Sequence, residues 1–387
     1  MSMKIALVEN FGADFVGARL RYAVFLKNKG FEVYAIIPKD GHKMLIKREK
    51  INVIEVEDSI RDKGIKSKIK YASELRGILK KENFDIVHFY RLQPNLIGTF
   101  IAGLYTSSKI VNHITGLGVV FSSNNTKSKI LQLVIKLLYK LNNYCFKPYT
   151  VFQNKEDIQE LGFKERVYCI EGSAVNEDRF NDQSNLNNIK KINELREQLK
   201  ISKESKIIVF VSRLLKEKGV LELVKAVIKV NENYAPPISL VVVGWSDIQN
   251  PSAVNPKDLE ELAKEFDYIN FLGKRSDIEV VIGMGDVSIL PTYYREGTPR
   301  FLLESMAVGK PIITTDMPGC NHLIDKENMN GFLIKPRNVE AIQKAIVEVL
   351  KSDIDVLGKN SQKLYKEKFS EDKVYSALLN IYTSIVE

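Results

Sequence analysis

Short apolar runs alternate with segments of helical period along the whole chain. Ile5–Val8, Val33–Ile37, Val53–Val56, Ile86–Phe89, Ile110–His113, Val151–Gln153 and Val167–Ile170 read as strands. Gly17–Lys29, Ser67–Lys81 and Pro94–Leu104 read as helices, the first ended by Gly30. Apolar strands separated by helices predict a parallel sheet covered on both faces. Residues 181–205 are polar, rich in Asn and Lys, and interrupt the pattern. It then restarts with strands at Ile207–Val211, Ser239–Val243, Tyr268–Leu272, Val287–Leu290 and Pro311–Thr314. Val220–Glu232, Asp258–Glu265, Val339–Lys351 and Asp372–Val386 complete it as helices. The expected fold class is α/β, with doubly wound domains at 1–180 and 206–370, a linker at 181–205 and a closing segment at 371–387. Two such halves put a cleft between them and ligands beyond the carboxyl ends of the strands.

The 387 residues are 44% hydrophobic and 27% charged, a globular composition. No window approaches 18 uncharged apolar residues, so no membrane span is expected. The N-terminus enters a strand pattern directly, without the features of a signal peptide. Cys145, Cys169 and Cys320 are too scattered for a disulfide framework or a zinc site, and a reducing, cytoplasmic setting is the default.

Net charge changes this picture. The total of +9 divides into 29 − 19 = +10 over residues 1–180 and 28 − 29 = −1 over 181–387. No Asp or Glu lies between Asp85 and Glu156, a run of 70 residues with eight bases. Within it, Lys127–Lys147 reads as a helix with Ile130, Leu131, Val134, Leu137, Leu138 and Leu141 in one stripe. Lys129, Lys136 and Lys140 rim that stripe. An interfacial helix on an anionic membrane has this composition, and so does a core-packed helix with solvated lysines. Nucleic acid is disfavoured: there is no Arg-rich cluster, RNP-like aromatic pattern or zinc finger.

Four segments carry candidate chemistry. In Pro291–Pro311, a strand runs into a polar loop and then a helix starting near Pro299. Glu296 precedes that helix and Glu304 lies inside it, beside an N-terminus suited to an anion. A carboxylate pair beside a phosphate site suits a sugar nucleotide. The bland alternative makes Glu296 a helix-dipole partner and Glu304 a surface residue. Arg213 and Lys218 follow a buried strand and can clamp a diphosphate, or form an ordinary basic loop. Asn10-Phe11-Gly12 ends the first strand without a GxGxxG fingerprint, and Gly12 allows close backbone approach. Asn112-His113-Ile114-Thr115-Gly116 ends another strand; the alternative for His113 is a structural histidine with satisfied bonds. The lone aspartate D-x-D, Asp353-Ile354-Asp355, reads as a solvated face in a helical region.

These residues resemble the retaining glycosyltransferases of family 4, which have the GT-B fold of two Rossmann-like domains facing across a cleft. The likeness rests on Arg213…Lys218-Gly219 and on Glu296…Glu304, which matches the family's E-x7-E motif. Gly309-Lys-Pro-Ile-Ile-Thr-Thr-Asp316-Met-Pro-Gly319-Cys320 and Asn330-Gly331-Phe-Leu-Ile support it. Thr115-Gly-Leu-Gly118 and Phe152-Gln-Asn-Lys155 look like the branch acting on lipid-linked sugars in bacterial glycan, O-antigen or capsule assembly. The resemblance implies that Arg213 and Lys218 hold the donor diphosphate and Glu304 the ribose. It places Glu296 and the backbone of Gly297, Thr298 and Arg300 at the donor sugar. Gly12 would lie against the diphosphate, Arg275 near the base, and His113, Thr115 and Gly116 toward the acceptor. The final helix of such proteins crosses back to the N-terminal domain. Three positions depart from the family pattern: Thr115 and Asn176 replace a frequent His and Asp, and Asn321-His322 replaces an Arg-Glu pair.

The implied enzyme is a retaining, metal-independent hexosyltransferase with no cofactor, only a nucleotide-sugar co-substrate, UDP-linked by the branch resemblance. Its implied partners are a polyprenyl-diphosphate-linked saccharide and an anionic membrane surface, at the inner face of the cell membrane. A sugar-nucleotide epimerase of the same fold and a non-enzymatic basic membrane binder are the rival readings.

Overall fold

A computed structural model describes residues 2–57, 64–123, 125–180, 186–235, 237–246, 250 and 252–386. The chain forms two compact units, Met1–Ala174 with Asp372–Glu387, and Val175–Glu371.

The first unit is built on β1 (Lys4–Val8), β2 (Glu32–Pro38), β3 (Asn52–Val56), β4 (Ile86–Tyr90), β5 (Lys109–Ile114), β6 (Tyr149–Phe152) and β7 (Val167–Cys169). They form one parallel sheet in the order β3-β2-β1-β4-β5-β6-β7. Ile5 of β1 sits between Val33 and Ile86. The strand order reverses at β1 and β4, the point where such sheets open a crevice. Instead of one helix over Gly17–Lys29 there are two, Gly12–Ala18 and Leu20–Asn28. Arg19 separates them with φ −119° and carries its guanidinium 4.2 Å above the Tyr90 ring.

The last helix, Glu371–Val386, completes this first core. Val374, Tyr375, Leu378, Ile381, Tyr382 and Ile385 bury one face, packed with Tyr22, Ala23 and Leu26. Fully burying each such side chain contributes about 1.5–3 kcal/mol. A polar group crosses the seam: Tyr382 Oη lies 2.5 Å from His88 Nδ1, and Tyr90 Oη lies 3.2 Å from the same nitrogen.

The second unit is built on β8 (Ile207–Val211), β9 (Ser239–Val243), β10 (Ile269–Phe271), β11 (Val287–Leu290), β12 (Ile312–Thr315) and β13 (Gly331–Ile334), ordered β10-β9-β8-β11-β12-β13. Every pairing is parallel, and the order reverses at β8 and β11. β13 adds a strand to the five expected in this half. Gly331 opens it because a Cβ there would collide with the Ile312 backbone.

The expected linker at 181–205 is corrected by the structure. Residues 181–185 lie outside the described residues, and Leu186–Gln198 is a helix of the second unit. Its polar composition conceals a narrow apolar stripe: Ile192, Leu195 and Leu199 pack on the second core. The boundary between the units falls earlier, between Ala174 and Val175.

Burial above all, with His113 and Arg19 adding to it, pushes the His88 imidazole well below its ordinary value. Burial and then Arg19 do the same to His113. Both stay neutral in the folded state, whereas the unfolded chain takes up their protons near pH 6.5. Stability is therefore complete above that pH and is lost below it. Each histidine removes about 1.4 kcal/mol per pH unit until its folded value is reached. The urea midpoint should fall between about pH 7.5 and about pH 5.5, and fall less for His113→Asn. An equal slope in both proteins would contradict this account.

Candidate active site

In the second unit, the chain leaves β8 through Arg213, makes one 3-10 turn over Lys216–Lys218, and enters the helix Val220–Asn231. Gly219 makes this entry with φ +76°, where a Cβ would press on the Pro291 carbonyl. The Glu217 carbonyl accepts from the N–H groups of Tyr293 and Tyr294 at 2.8 and 3.2 Å. It also accepts from the Thr292 hydroxyl at 3.0 Å. These bonds strap the loop after β8 to the loop after β11.

The strap brings Lys218 and Glu296 together. Lys218 Nζ is paired with Glu296 Oε1, their side chains only 9% and 13% exposed. Glu296 is therefore a lysine partner. Lys218 Nζ also lies 4.9 Å from the Tyr294 ring centroid. From the far side, Gly319 holds φ +83° and leaves room for nothing larger against the Glu296 and Gly297 carbonyls. Buried Cys320 follows, its thiol pushed up to about 12 by burial and then by the Glu296 carboxylate. Thr298 is buried, with Oγ1 3.5 Å from His322 Nε2.

Pro299 is the N-cap of the helix Arg300–Ala307, one position before its first turn. Glu304 sits in the second turn, its side chain 14% exposed and 3.5 Å from Arg300. It is thus not the surface residue of the bland alternative. Burial raises its carboxyl, and Arg300 and Arg179 oppose that rise. Arg179 follows Asn176, whose side chain accepts from the Arg179 N–H at 3.2 Å. Asn176 therefore caps the short helix Glu177–Phe180, a task that Asp performs equally well. Arg179 donates Nε to Glu279 at 2.7 Å.

Arg213 is exposed and has no ion pair among the described residues. Arg275 is occupied by a fork to Asp277, with bonds of 2.9 and 2.6 Å. Asp353 is the N-cap of Ile354–Lys368, accepting from the N–H groups of Asp355 and Val356. Among the described residues no group of three His, Cys, Asp or Glu is placed to hold a metal ion.

In the first unit, Gly12 stands in the first turn of a helix, and its N–H donates to Asp40 Oδ2 at 2.7 Å. His42 Nδ1 lies 2.9 Å from Asp40 Oδ1. His113 is buried, 5.4 Å from the parallel His88 ring. Neither of its ring nitrogens has a hydrogen-bond partner among the described residues, so it is not a satisfied structural histidine. Thr115 and Gly116 follow β5 half-buried, Gly116 at φ +102°.

Sequence reasoning missed a charge cluster beside them. Glu9, at the end of β1, is buried with Arg91 Nε at 3.1 Å and Arg19 Nε at 3.8 Å. Arg91 also reaches Asp14 at 2.5 Å and holds φ +74°, a conformation that strains any residue but glycine. Strand-end position was the available signal, since Glu9 and Arg91 follow the two central strands.

The lysine-rimmed helix is Thr126–Phe146. Ile135, Tyr139 and Asn142 face the unit's interior. Ile130, Leu131, Val134, Leu137, Leu138 and Leu141 lie 42–65% exposed, with Leu133 at 68% and Tyr144 at 82%. The core-packed alternative therefore does not describe the stripe within this unit. Lys136 pairs with Glu160 at 2.6 Å, while Lys129 and Lys140 are exposed. Lys136, Lys140, Leu137 and Phe163 help line a cavity of about 430 Å³ beside the helix. No described helix is long and apolar enough to cross a membrane.

Residues 4–147 match the family described as Glycosyl transferase 4-like, and residues 191–368 match Glycosyl transferases group 1. The two units thus carry glycosyltransferase domains of these two kinds. The chain is 27% identical to the N,N'-diacetylbacillosaminyl-diphospho-undecaprenol alpha-1,3-N-acetylgalactosaminyltransferase of Campylobacter jejuni, over 91% of this chain and 90% of the relative. It is 25% identical to the UDP-Gal:alpha-D-GlcNAc-diphosphoundecaprenol alpha-1,3-galactosyltransferase of Escherichia coli, over 93% and 91%. A Rickettsia africae glycosyltransferase shares the fold with a TM-score of 0.79 at 23% identity, covering 100% of this chain and 99% of that one. Anabaena HepE, solved with UDP and glucose, also has a TM-score of 0.79, at 16% identity over 99% and 100%. The architecture is that of GT-B glycosyltransferases.

Removing one partner of a buried ion pair strands the other charge. Lys218→Ala should cost about 3 kcal/mol of unfolding free energy, and the double variant Lys218→Met with Glu296→Gln should recover much of it. Equal urea midpoints for Lys218→Ala and the native chain would show that the pair does not hold the loops.

Proposed function

We propose that this chain is a retaining, metal-independent glycosyltransferase of family 4. It moves a hexose or N-acetylhexosamine from a UDP-linked donor to a hydroxyl of a polyprenyl-diphosphate-linked saccharide. The observation that carries this reading is the buried Lys218–Glu296 pair at the switch point of the second sheet, with Arg213, free of ion pairs among the described residues, after β8 and the largely buried Glu304 in the helix after β11. The names of the two relatives support the lipid-linked acceptor, and one of them supports the UDP donor.

The chemistry follows from charge. As the bond from the anomeric carbon to the diphosphate breaks, negative charge grows on the leaving oxygen. Arg213 and Lys218 supply two positive charges to meet it, a role a divalent cation plays elsewhere. Before donor arrives, Lys218 is neutralised by Glu296. Diphosphate binding turns Lys218 toward phosphate and leaves the Glu296 carboxylate to accept hydrogen bonds from sugar hydroxyls. Glu304 accepts the paired ribose hydroxyls; burial raises its carboxyl, and Arg300 and Arg179 oppose that rise. The departing phosphate takes the acceptor's proton on the same face of the sugar, which preserves the anomeric configuration.

The acceptor's lipid stays in a membrane, and the helix Thr126–Phe146 supports a peripheral attachment to it. Its exposed leucines enter the interface, and Lys129, Lys136 and Lys140 meet anionic headgroups. The proposed site of action is the cytoplasmic face of a bacterial cell membrane.

Nucleotide release should be measured with a UDP-sugar panel and a polyprenyl-diphosphate-sugar acceptor. Arg213→Ala should lower kcat roughly 100-fold, as loss of a transition-state charge does. Glu304→Ala should mainly raise the donor KM, because the ribose is bound equally before and during reaction. A native kcat in Arg213→Ala, or a native donor KM in Glu304→Ala, would sink the assignment. Activity should persist in EDTA, and NMR of the product should show the donor's anomeric configuration; an inverted product refutes the retaining mechanism. Flotation with anionic vesicles should capture the native chain, and the triple change of Lys129, Lys136 and Lys140 to Glu should release it. Undiminished capture would mean that these lysines serve another purpose.

A further inference from the structure

The carboxyl edge of the second sheet holds one more group, the chain's single tryptophan. Gly244 and Trp245 follow β9, which lies between β10 and β8. Trp245 therefore stands between the turn that carries Arg275 and the turn that carries Arg213. Its backbone is tied to both. The Gly244 N–H donates to the Gly273 carbonyl at 2.9 Å, and the Leu214 N–H donates to the Trp245 carbonyl at 2.9 Å. Gly244 has no room for a Cβ, which would meet the Ser212 carbonyl and the Leu214 side chain. The anchor is fixed, and the side chain is partly exposed. Trp245 is 43% exposed, and its ring makes no aromatic or cation contact among the described residues.

A partly exposed indole on a fixed backbone offers a planar face that a flat, apolar-faced ligand can cover. A diphosphate on Arg213 leaves its nucleoside to lie along this same edge. We propose that Trp245 is the stacking platform for the base of the nucleoside diphosphate. This rests on the donor reading above. Arg275, oriented by its fork to Asp277, presents a second planar group one strand away. Stacking accepts any base, because every base has a π-face, so Trp245 provides affinity without choosing between uracil and guanine.

A single tryptophan makes the test direct. UDP titrated into the full-length protein should quench or shift its emission, and GDP should do so wherever it binds. Inorganic diphosphate should bind without that change, since it lacks a base. Calorimetry should show Trp245→Ala weakening UDP by roughly tenfold or more, with diphosphate affinity unchanged. Trp245→Phe should keep most of the affinity, which separates stacking from misfolding. UDP binding without an emission change, and at native strength in Trp245→Ala, overturns the platform alone. If neither UDP nor GDP binds the native chain, the donor reading falls and the platform with it.

Discussion

The buried pairing of Lys218 with Glu296 is the interaction on which the second unit's working edge depends. A parallel sheet offers no ladder beyond the ends of its strands. Where the strand order reverses, the two chains leave in opposite directions and only side chains and loops can hold them. Here β8 and β11 part at that point. The Glu217 carbonyl, with three donors on it, supplies the backbone half of the connection. The ion pair supplies the charged half. Gly219 and Gly319 are the positions that let the loops close on each other, each pressed against a carbonyl on the other side.

The first unit solves the same problem with the signs reversed. There the central group is an acid, Glu9, flanked by two arginines at its own switch point. Burial raises the Glu9 carboxyl, and Arg91 and Arg19 oppose it. Arg91 accepts a backbone geometry that is unfavourable for a side chain of its size, and its contacts to Glu9 and Asp14 hold it there. Each sheet thus concentrates buried charge at the place where its architecture is weakest. Under the proposed function, a binding crevice and a structural fastening share the same residues of the second sheet.

Much of this was legible in the sequence. Continuous apolar runs marked twelve of the strands, because strands buried on both faces need no polar alternation. Glu296, Glu304, Arg213 and Lys218 stood out as candidates from their spacing within two short segments. β13 was hidden because it begins with Gly331, a residue disfavoured in strands. The helix Leu186–Gln198 was hidden because only a few of its positions touch the core. The Lys218–Glu296 contact joins residues 78 positions apart, and such pairings come only with the fold. Tyr382 on His88 is a more distant case, at 294 positions. For the helix Thr126–Phe146, periodicity revealed an apolar stripe, but which side faced solvent depended on Ile135 and Tyr139 finding the interior.

The return of the last helix to the first unit has a consequence for how the chain is made. The segment through Ala174 leaves the ribosome long before Val374, Leu378 and Ile381 do. Until then the surface around Tyr22, Ala23 and Leu26 lacks its cover, while the second unit already has almost all of its residues. The half synthesised first is thus the half completed last. During translation it must wait with an open apolar groove, in need of protection from neighbouring chains. A chain cut short within its final turns would damage the domain at the opposite end of the sequence.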